Sequence, residues 1–272
     1  QAFLYLGNAA ADFPKRTGSA TQAPAAWEED DFTFFSENPG FANTSFGNLV
    51  TSAGDVDGDG FQDILITDAE YQGNSRREAY LYLGGTRFDT PGSLAYTDAD
   101  LTYRRSGLLF AGDAAGVGDV NADGYDDLLI SDPERSQGEA YLYLGGEPPD
   151  ATADVELPIS LGQFYTDFPE GDPDDYLPAE PDIFGQEAAY GAVAGIGDLN
   201  GDGFADYAVG AHYDQKGTQR GSVYVYFGEP SPAPSYGTLL VLGRNQGYRV
   251  EPAGDFDGDG YSDFMTCASS AS

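Results

Sequence analysis

Apolar and polar residues alternate along this chain in short runs broken by Gly, Pro and Asp. That period of two predicts strands rather than helices. The clearest run is AYLYLGG at Ala79, which returns at Ala140, as SVYVYFG at Ser222 and as AFLYLGN at Ala2. A second element recurs with it: GDVDGDGFQDILIT from Gly54, GDVNADGYDDLLIS from Gly118, GDLNGDGFADYAVG from Gly197 and GDFDGDGYSDFMTC from Gly254. The first Asp residues of these loops, Asp55, Asp119, Asp198 and Asp255, are spaced by 64, 79 and 57 residues.

One unit therefore reads as strand, acidic hairpin loop, strand, Gly-containing loop and Tyr-rich strand, with room for a fourth strand before the next unit. A period near 60 with about four strands predicts the blades of an all-β propeller, each a four-stranded antiparallel sheet. A lone blade cannot bury both of its faces, so the units must stack around an axis. The whole of 1–272 reads as one such domain, with repeats around 43–103, 108–165, 187–242, and 246–268 completed by 2–36. Two closures stay open. In a ring of four, the strand at Ala2–Gly7 pairs with Asp263–Ala268; otherwise the chain is a piece of a larger ring.

Composition agrees with this pattern. Aromatics are 14% of the residues, with 37 Gly and 16 Pro, which supplies a core and many turns. No apolar run reaches the roughly 18 residues that span a bilayer. The opening QAFLYLGNAA lacks a basic n-region and a signal h-region, so any targeting peptide is expected to be gone already.

Charge narrows the partners. There are 46 acidic and 12 basic residues, a formal net charge of −34. Nucleic acid is excluded, because its binding needs a basic face to displace counterions, and so is an anionic membrane surface. Such an excess repels itself in a compact state unless it is neutralised, by bound metal or by a salt-rich habitat. The single Cys267 excludes an internal disulfide and a cysteine metal site.

The acidic loops supply the metal reading. Each offers oxygens at positions 1, 3, 5 and 9, with Gly at position 6. These are Asp55, Asp57, Asp59 and Asp63 with Gly60; Asp119, Asn121, Asp123 and Asp127 with Gly124; Asp198, Asn200, Asp202 and Asp206 with Gly203; and Asp255, Asp257, Asp259 and Asp263 with Gly260. Short carboxylates and amides at alternate positions converge only if the backbone curls, which a Gly with positive φ permits. Position 7 (Phe61, Tyr125, Phe204, Tyr261) is expected to turn its carbonyl to the ion and its ring to the core. Calcium takes about six to eight hard oxygen ligands in a flexible cage, so about four Ca2+ ions are expected. An EF-hand would need Glu at position 12, where Ile66, Ile130, Val209 and Thr266 stand. Asp-Gly pairs also make good hairpin turns. That explains one loop, not four with acids at the same spacings.

These residues resemble the FG-GAP repeat of integrin alpha chains: Phe46-Gly47 ahead of an acidic loop, looser versions at Phe110-Ala111, Ala189-Tyr190 and Gln246-Gly247, and Gly210-Ala211-His212 where Gly-Ala-Pro would stand. The resemblance implies a propeller with calcium between first and second strands on the lower face. It implies ligand binding on the upper face or rim of an extracellular or cell-surface module. Family rings usually have seven blades, and four repeats are visible here.

Enzyme chemistry is not expected. His212 is the only histidine, and the patterned carboxylates are committed to metal. The expected function is a calcium-stabilised adhesion module for a protein or glycan ligand; a lectin, or an accessory domain of a larger secreted enzyme, is the alternative. Under the family topology the upper face collects Arg76, Arg77, Arg104, Arg105, Arg135 and Arg220 as ligand-face candidates, in a chain with ten Arg and two Lys. Arg makes the better fork for carboxylates and sulfates. Basic residues also simply sit where calcium does not. The tyrosines that alternate on strands are expected between blades. Trp27 remains open between burial and sugar contact.

Overall fold

The computed structural model describes residues 2–5, 31–35, 46–68, 77–88, 92–105, 110–132, 139–157, 193–211, 220–233, 238–244 and 247–268. Their regular structure is strand, apart from two single 3-10 turns at Thr86–Phe88 and Tyr96–Asp98. The first four-stranded antiparallel sheet comprises β3 (Phe46–Gly54), β4 (Asp63–Asp68), β5 (Glu78–Tyr82) and β7 (Leu101–Arg104). The second comprises β8 (Ala114–Gly118), β9 (Asp127–Asp132), β10 (Glu139–Tyr143) and β11 (Val155–Leu157). The third comprises β12 (Val193–Gly197), β13 (Asp206–Ala211), β14 (Arg220–Tyr226) and β15 (Thr238–Arg244). A fourth unit has two strands, β16 (Arg249–Gly254) and β17 (Asp263–Cys267). The remaining sheet joins β1 (Ala2–Tyr5) to β2 (Asp31–Phe35) and β2, in parallel, to β6 (Ser93–Ala95).

Each unit is an up-and-down sheet, and the first strands β3, β8, β12 and β16 lie against one another in that order. The Tyr-rich run explains how the units stack. On β10, Tyr141 and Tyr143 join the cluster with Leu65, Leu81 and Tyr103 of the first sheet. Ala140 and Leu142, on the opposite face, join Val193, Tyr207 and Tyr224 of the third. The pattern repeats: Tyr80 and Tyr82 look back to Phe32 and Phe34, while Val223 and Val225 look forward to Val250. So the alternation marks two different apolar faces, not one buried and one wet. Each large side chain buried there contributes about 1.5–3 kcal/mol. The expectation that these tyrosines pack between blades holds.

One expected pairing is not formed. β1 takes β2 as its partner, with Ala2 opposite Phe34 and Tyr5 opposite Asp31, and no strand pairing joins it to β17 among the described residues. The reason lies in packing: Ala2, Phe32 and Phe34 sit on the free face of the first sheet with Phe46, Ile66, Tyr80 and Tyr82. The sheets form an open row, and no closed ring is present among the described residues.

Candidate metal centres

Every acidic loop joins the first strand of a unit to its second. The ladder slips by one residue just before each loop, between Ser52 and Gly54, Gly116 and Gly118, Gly195 and Gly197, and Pro252 and Gly254. Such bulges bend the strand and re-aim the loop beyond it. The glycine at position 6 then has φ of 92°, 96°, 93° and 96° at Gly60, Gly124, Gly203 and Gly260, a conformation that L side chains rarely adopt.

The curl brings carboxylates together. The Asp at position 1 accepts the position-6 N–H in all four loops: Gly60 to Asp55 at 2.9 Å, Gly124 to Asp119 at 2.9 Å, Gly203 to Asp198 at 2.9 Å and Gly260 to Asp255 at 3.0 Å. Position 5 accepts from position 7, as in Phe61 to Asp59 at 2.9 Å and Tyr261 to Asp259 at 3.0 Å. Carboxylate oxygens of Asp55, Asp57 and Asp63 all lie within 4.8 Å of one another, and so do those of Asp255, Asp257 and Asp263. Burial first, then the charges of Asp59 and Asp55, push the Asp57 carboxyl above its ordinary range. Two unit charges 4 Å apart at an effective dielectric of 20 cost about 4 kcal/mol when alike, so the cluster calls for a counter-charge.

The fit to a hard cation can be tested on one atom. Asp55 Oδ1 is buried and has no hydrogen-bond donor, while Oδ2 holds the Gly60 N–H. A buried carboxylate oxygen without a donor costs several kcal/mol unless a positive charge meets it. An all-oxygen set of Asp and Asn donors with one such oxygen fits a hard divalent ion.

Position 9 has a second role that spacing alone did not reveal. Asp63 accepts Val56 N–H at 2.8 Å on one oxygen and Gly84 N–H at 2.7 Å on the other. Asp127 does the same with Val120 and Gly145, and Asp206 with Leu199 and Gly228. This residue clamps its own loop to the exit of the third strand. Burial pushes Asp63 up to about 6 and Asp127 up to about 7, and raises Asp206 as well. A signal for the clamp was present in the Gly that comes after each LYL or VYF run.

Position 7 corrects the expectation. The Phe61 and Tyr261 rings do not enter the core, at 51% and 48% exposed, and Tyr125 and Phe204 are half-buried. The Tyr125 ring lies against Gly58 of the preceding loop and the Tyr261 ring against Gly201. Since position 6 reverses the chain, the ring at position 7 falls beside the neighbouring unit's loop rather than between sheets.

Position 8 was missed altogether. Its N–H donates to the position-1 carbonyl of the preceding loop three times: Asp126 to Asp55 at 2.9 Å, Ala205 to Asp119 at 3.0 Å and Ser262 to Asp198 at 3.0 Å. Asp126 also accepts the Asp55 N–H at 2.8 Å. The loops are thus hooked in series.

At the opposite ends of the sheets the arginines are less free than charge counting suggested. Arg104 Nε pairs with Glu78, a mostly buried carboxylate, at 2.9 Å. The Arg105 guanidinium stacks 3.7 Å from the Tyr141 ring centre. Arg77 is half-buried in a left-handed conformation, φ 49°. Arg220 lies on β14 opposite Arg244. Arg76, Arg135, His212 and Trp27 lie outside the described residues. A buried group that sequence reading passed over, Asp113, accepts the Val193 N–H at 2.8 Å and ties the second sheet to the third.

Residues 111–143 and 190–226 match the FG-GAP repeat family. The chain is similar to integrin alpha-IIb of Mus musculus, 27% identical over 234 residues, which is 79% of this chain and 20% of the relative. It is 30% identical to integrin alpha-5 of Xenopus laevis over 193 residues, 63% of this chain and 16% of the relative. With integrin alpha pat-2 of Caenorhabditis elegans it shares 29% over 237 residues, 80% of this chain and 17% of the relative. The chain spans a fifth or less of the length of these curated relatives.

Proposed function

We propose that this chain, which carries FG-GAP repeats and is similar to integrin alpha chains, is a calcium-stabilised, extracellular adhesion module of the propeller type. The observation that carries the calcium reading is the buried Asp55 Oδ1, which has no donor, within a carboxylate cluster that recurs by sequence in four loops. Asp55, Asp57, Asp59, the Phe61 carbonyl and Asp63 would hold the first ion, and the equivalent positions the other three. Calcium would supply charge neutralisation and no chemistry of bond making. Magnesium fits less well, since it demands near-octahedral geometry and keeps its waters. Even eight positive charges leave the chain strongly acidic.

Adhesion rather than sugar binding is favoured by where the aromatics go. Tyr80, Tyr82, Tyr141 and Tyr143 are consumed by the sheet-to-sheet clusters, which takes the most regular aromatic rows of the chain away from a sugar ligand. A protein ligand on the face opposite the acidic loops is the better-supported partner.

Melting in excess chelator tests the calcium reading. Four sites at 100-fold ligand excess are worth about 2.7 kcal/mol each, so the melting temperature should fall by at least roughly 10 °C and return with calcium. An unchanged melt would sink it. For the ligand, sulfated, uronic-acid and neutral glycans should all fail to bind the calcium-loaded chain, while cells or matrix proteins bind it in a calcium-dependent way. Binding of neutral glycans would reverse the assignment to a lectin.

A further inference from the structure

Hydrogen bonds run from the ligand positions of one acidic loop to those of the next. Asp126 stands between Tyr125 and Asp127, positions 7 and 9 of the second loop, and grips both sides of Asp55, position 1 of the first. Its N–H donates to the Asp55 carbonyl at 2.9 Å, and its carboxylate accepts the Asp55 N–H at 2.8 Å. The backbone half of this grip recurs from Ala205 to Asp119 and from Ser262 to Asp198, each at 3.0 Å.

A second route joins the position-9 carboxylates. Asp127 accepts the Gly145 N–H at 2.7 Å, and the next N–H, that of Gly146, donates to the Val56 carbonyl at 2.9 Å. The Val56 N–H then donates to Asp63 at 2.8 Å. The same path leads from Asp206 through Gly228, Glu229 and Val120 to Asp127, with bonds of 2.9, 2.9 and 2.8 Å. Neither path has slack. A Cβ on Gly145 would stand 2.5 Å from the Asp126 carbonyl oxygen and 2.8 Å from that of Val56. One on Gly228 would stand 2.5 Å from the Ala205 carbonyl oxygen and 2.6 Å from that of Val120. Backbone packed this closely passes a shift of one loop on to its neighbour.

We propose, resting on the calcium reading above, that the acidic loops bind calcium as a coupled series rather than as independent sites, with Asp126 a positioning residue between the first two. The element with two states is each loop, curled when its charge is met and sprung by its own carboxylates when it is not. A curled second loop holds the Asp126 N–H and carboxylate in place, so Asp55 is ordered before the first loop fills. It also fixes Gly145 and Gly146, and through Val56 it steadies Asp63. The backbone ordering that filling the first loop would otherwise require is then already made. Linkage is reciprocal, so occupancy of the first loop tightens the second by the same factor. Neighbouring loops should couple by about tenfold, and loops two steps apart by less. The first joint should be the strongest, because Asp126 adds a carboxylate where Ala205 and Ser262 stand at the other two.

The position-6 amides report each loop separately, since Gly60, Gly124, Gly203 and Gly260 each donate to the position-1 carboxylate of their own loop. Their NMR signals are followed as calcium is added to the metal-free chain. The double change Asn121→Ala with Asp123→Ala empties the second loop and leaves Asp126 and Asp127 in place. The calcium midpoints of Gly60 and Gly203 should then rise about tenfold, and that of Gly260 less. Asp123→Asn, which keeps an acceptor for the Tyr125 N–H, serves if the double change melts early. Asp126→Ala should raise the Gly60 midpoint and leave that of Gly203 in place. Asp126→Asn, which still offers Asp55 an acceptor, should restore the parent value. Unmoved midpoints at Gly60 and Gly203 with the second loop emptied would make the sites independent and overturn the proposal. An equal rise at Gly60, Gly203 and Gly260 would trace the effect to the stability of the whole chain, and overturns it too. If none of the four amides responds to calcium, the calcium reading itself fails, and the coupling with it.

Discussion

The second and fourth acidic loops, Asp119–Asp127 and Asp255–Asp263, share Asp, Gly and Tyr at positions 1, 5, 6, 7 and 9 and the hydrogen bonds that curl them, yet they live in different surroundings. In both, position 1 accepts from position 6 and position 5 from position 7. Around the second loop, Val120 is buried, its carbonyl is taken by Glu229, and Asp127 holds two backbone N–H groups. Around the fourth, Phe256 is exposed and, among the described residues, Asp263 holds one, from Phe256 itself at 2.8 Å. Loop geometry is therefore local, set by Asp and Gly at fixed spacing. Burial is lent by the next unit. A residue with one role in the alignment carries a different load at each position along the row.

The largest expected consequence falls at position 9. Asp127→Ala strips acceptors from a buried N–H at Val120 and a half-buried one at Gly145, and should cost about 2–4 kcal/mol. Asp263→Ala removes one bond at a more exposed site and should cost about 1 kcal/mol. Denaturant midpoints of the two variants, both calcium-free, measure the gap. Equal losses would mean that the exit of the unit's own third strand contributes nothing to the clamp.

This contrast also explains what the sequence could disclose. The repeat, the strand order and the curl of each loop were legible, because Gly60 and its counterparts, the alternating YLY runs and the turn residues act over a few positions. The hook at position 8 was not, since Asp126, Ala205 and Ser262 act through backbone N–H groups that any residue supplies. Position 7 was misassigned for a related reason. An aromatic after an acidic loop looks like core, and only the neighbouring loop's glycine shows where the ring goes. The arginines were counted as a free patch because Glu78 and Tyr141, which engage Arg104 and Arg105, are distant in sequence.

A smaller effect should appear in the pH dependence. Asp113 is buried between the second and third sheets, and burial pushes its carboxyl up to about 7 against hydrogen bonds from Val193 and Ala114. Glu251 raises it further and Arg249 opposes. The folded chain then holds this proton from about pH 4 to 7 while the unfolded chain, near 3.9, has lost it. Stability contributed here is present at low pH and declines as pH rises through that window. Asp113→Asn keeps an acceptor for Val193 and carries no charge. It should flatten the decline and gain about 1–3 kcal/mol at pH 8 relative to pH 5. Melts at matched calcium across that range check it, and parallel curves for parent and variant would count against a buried carboxyl.

The finest test compares two glycines at loop position 4. Gly58 and Gly258 have φ of 71° and 79°, so alanine at either carries the same left-handed strain, about 1 kcal/mol. Their surroundings differ: a Cβ on Gly58 would stand 2.7 Å from the Tyr125 ring of the next loop, while one on Gly258 meets nothing within 4 Å. Gly58→Ala must push Tyr125 aside and loosen the hook that Asp126 makes with Asp55. Gly258→Ala has nothing to push. The first should therefore be less stable than the second by about 1 kcal/mol, the scale of a small overpacking strain. Tyr125→Ala should erase that difference, because it removes the ring that Gly58 accommodates. A double-mutant cycle over Gly58 and Tyr125 isolates the coupling, and a value near zero would show that the loops sit side by side without bearing on each other.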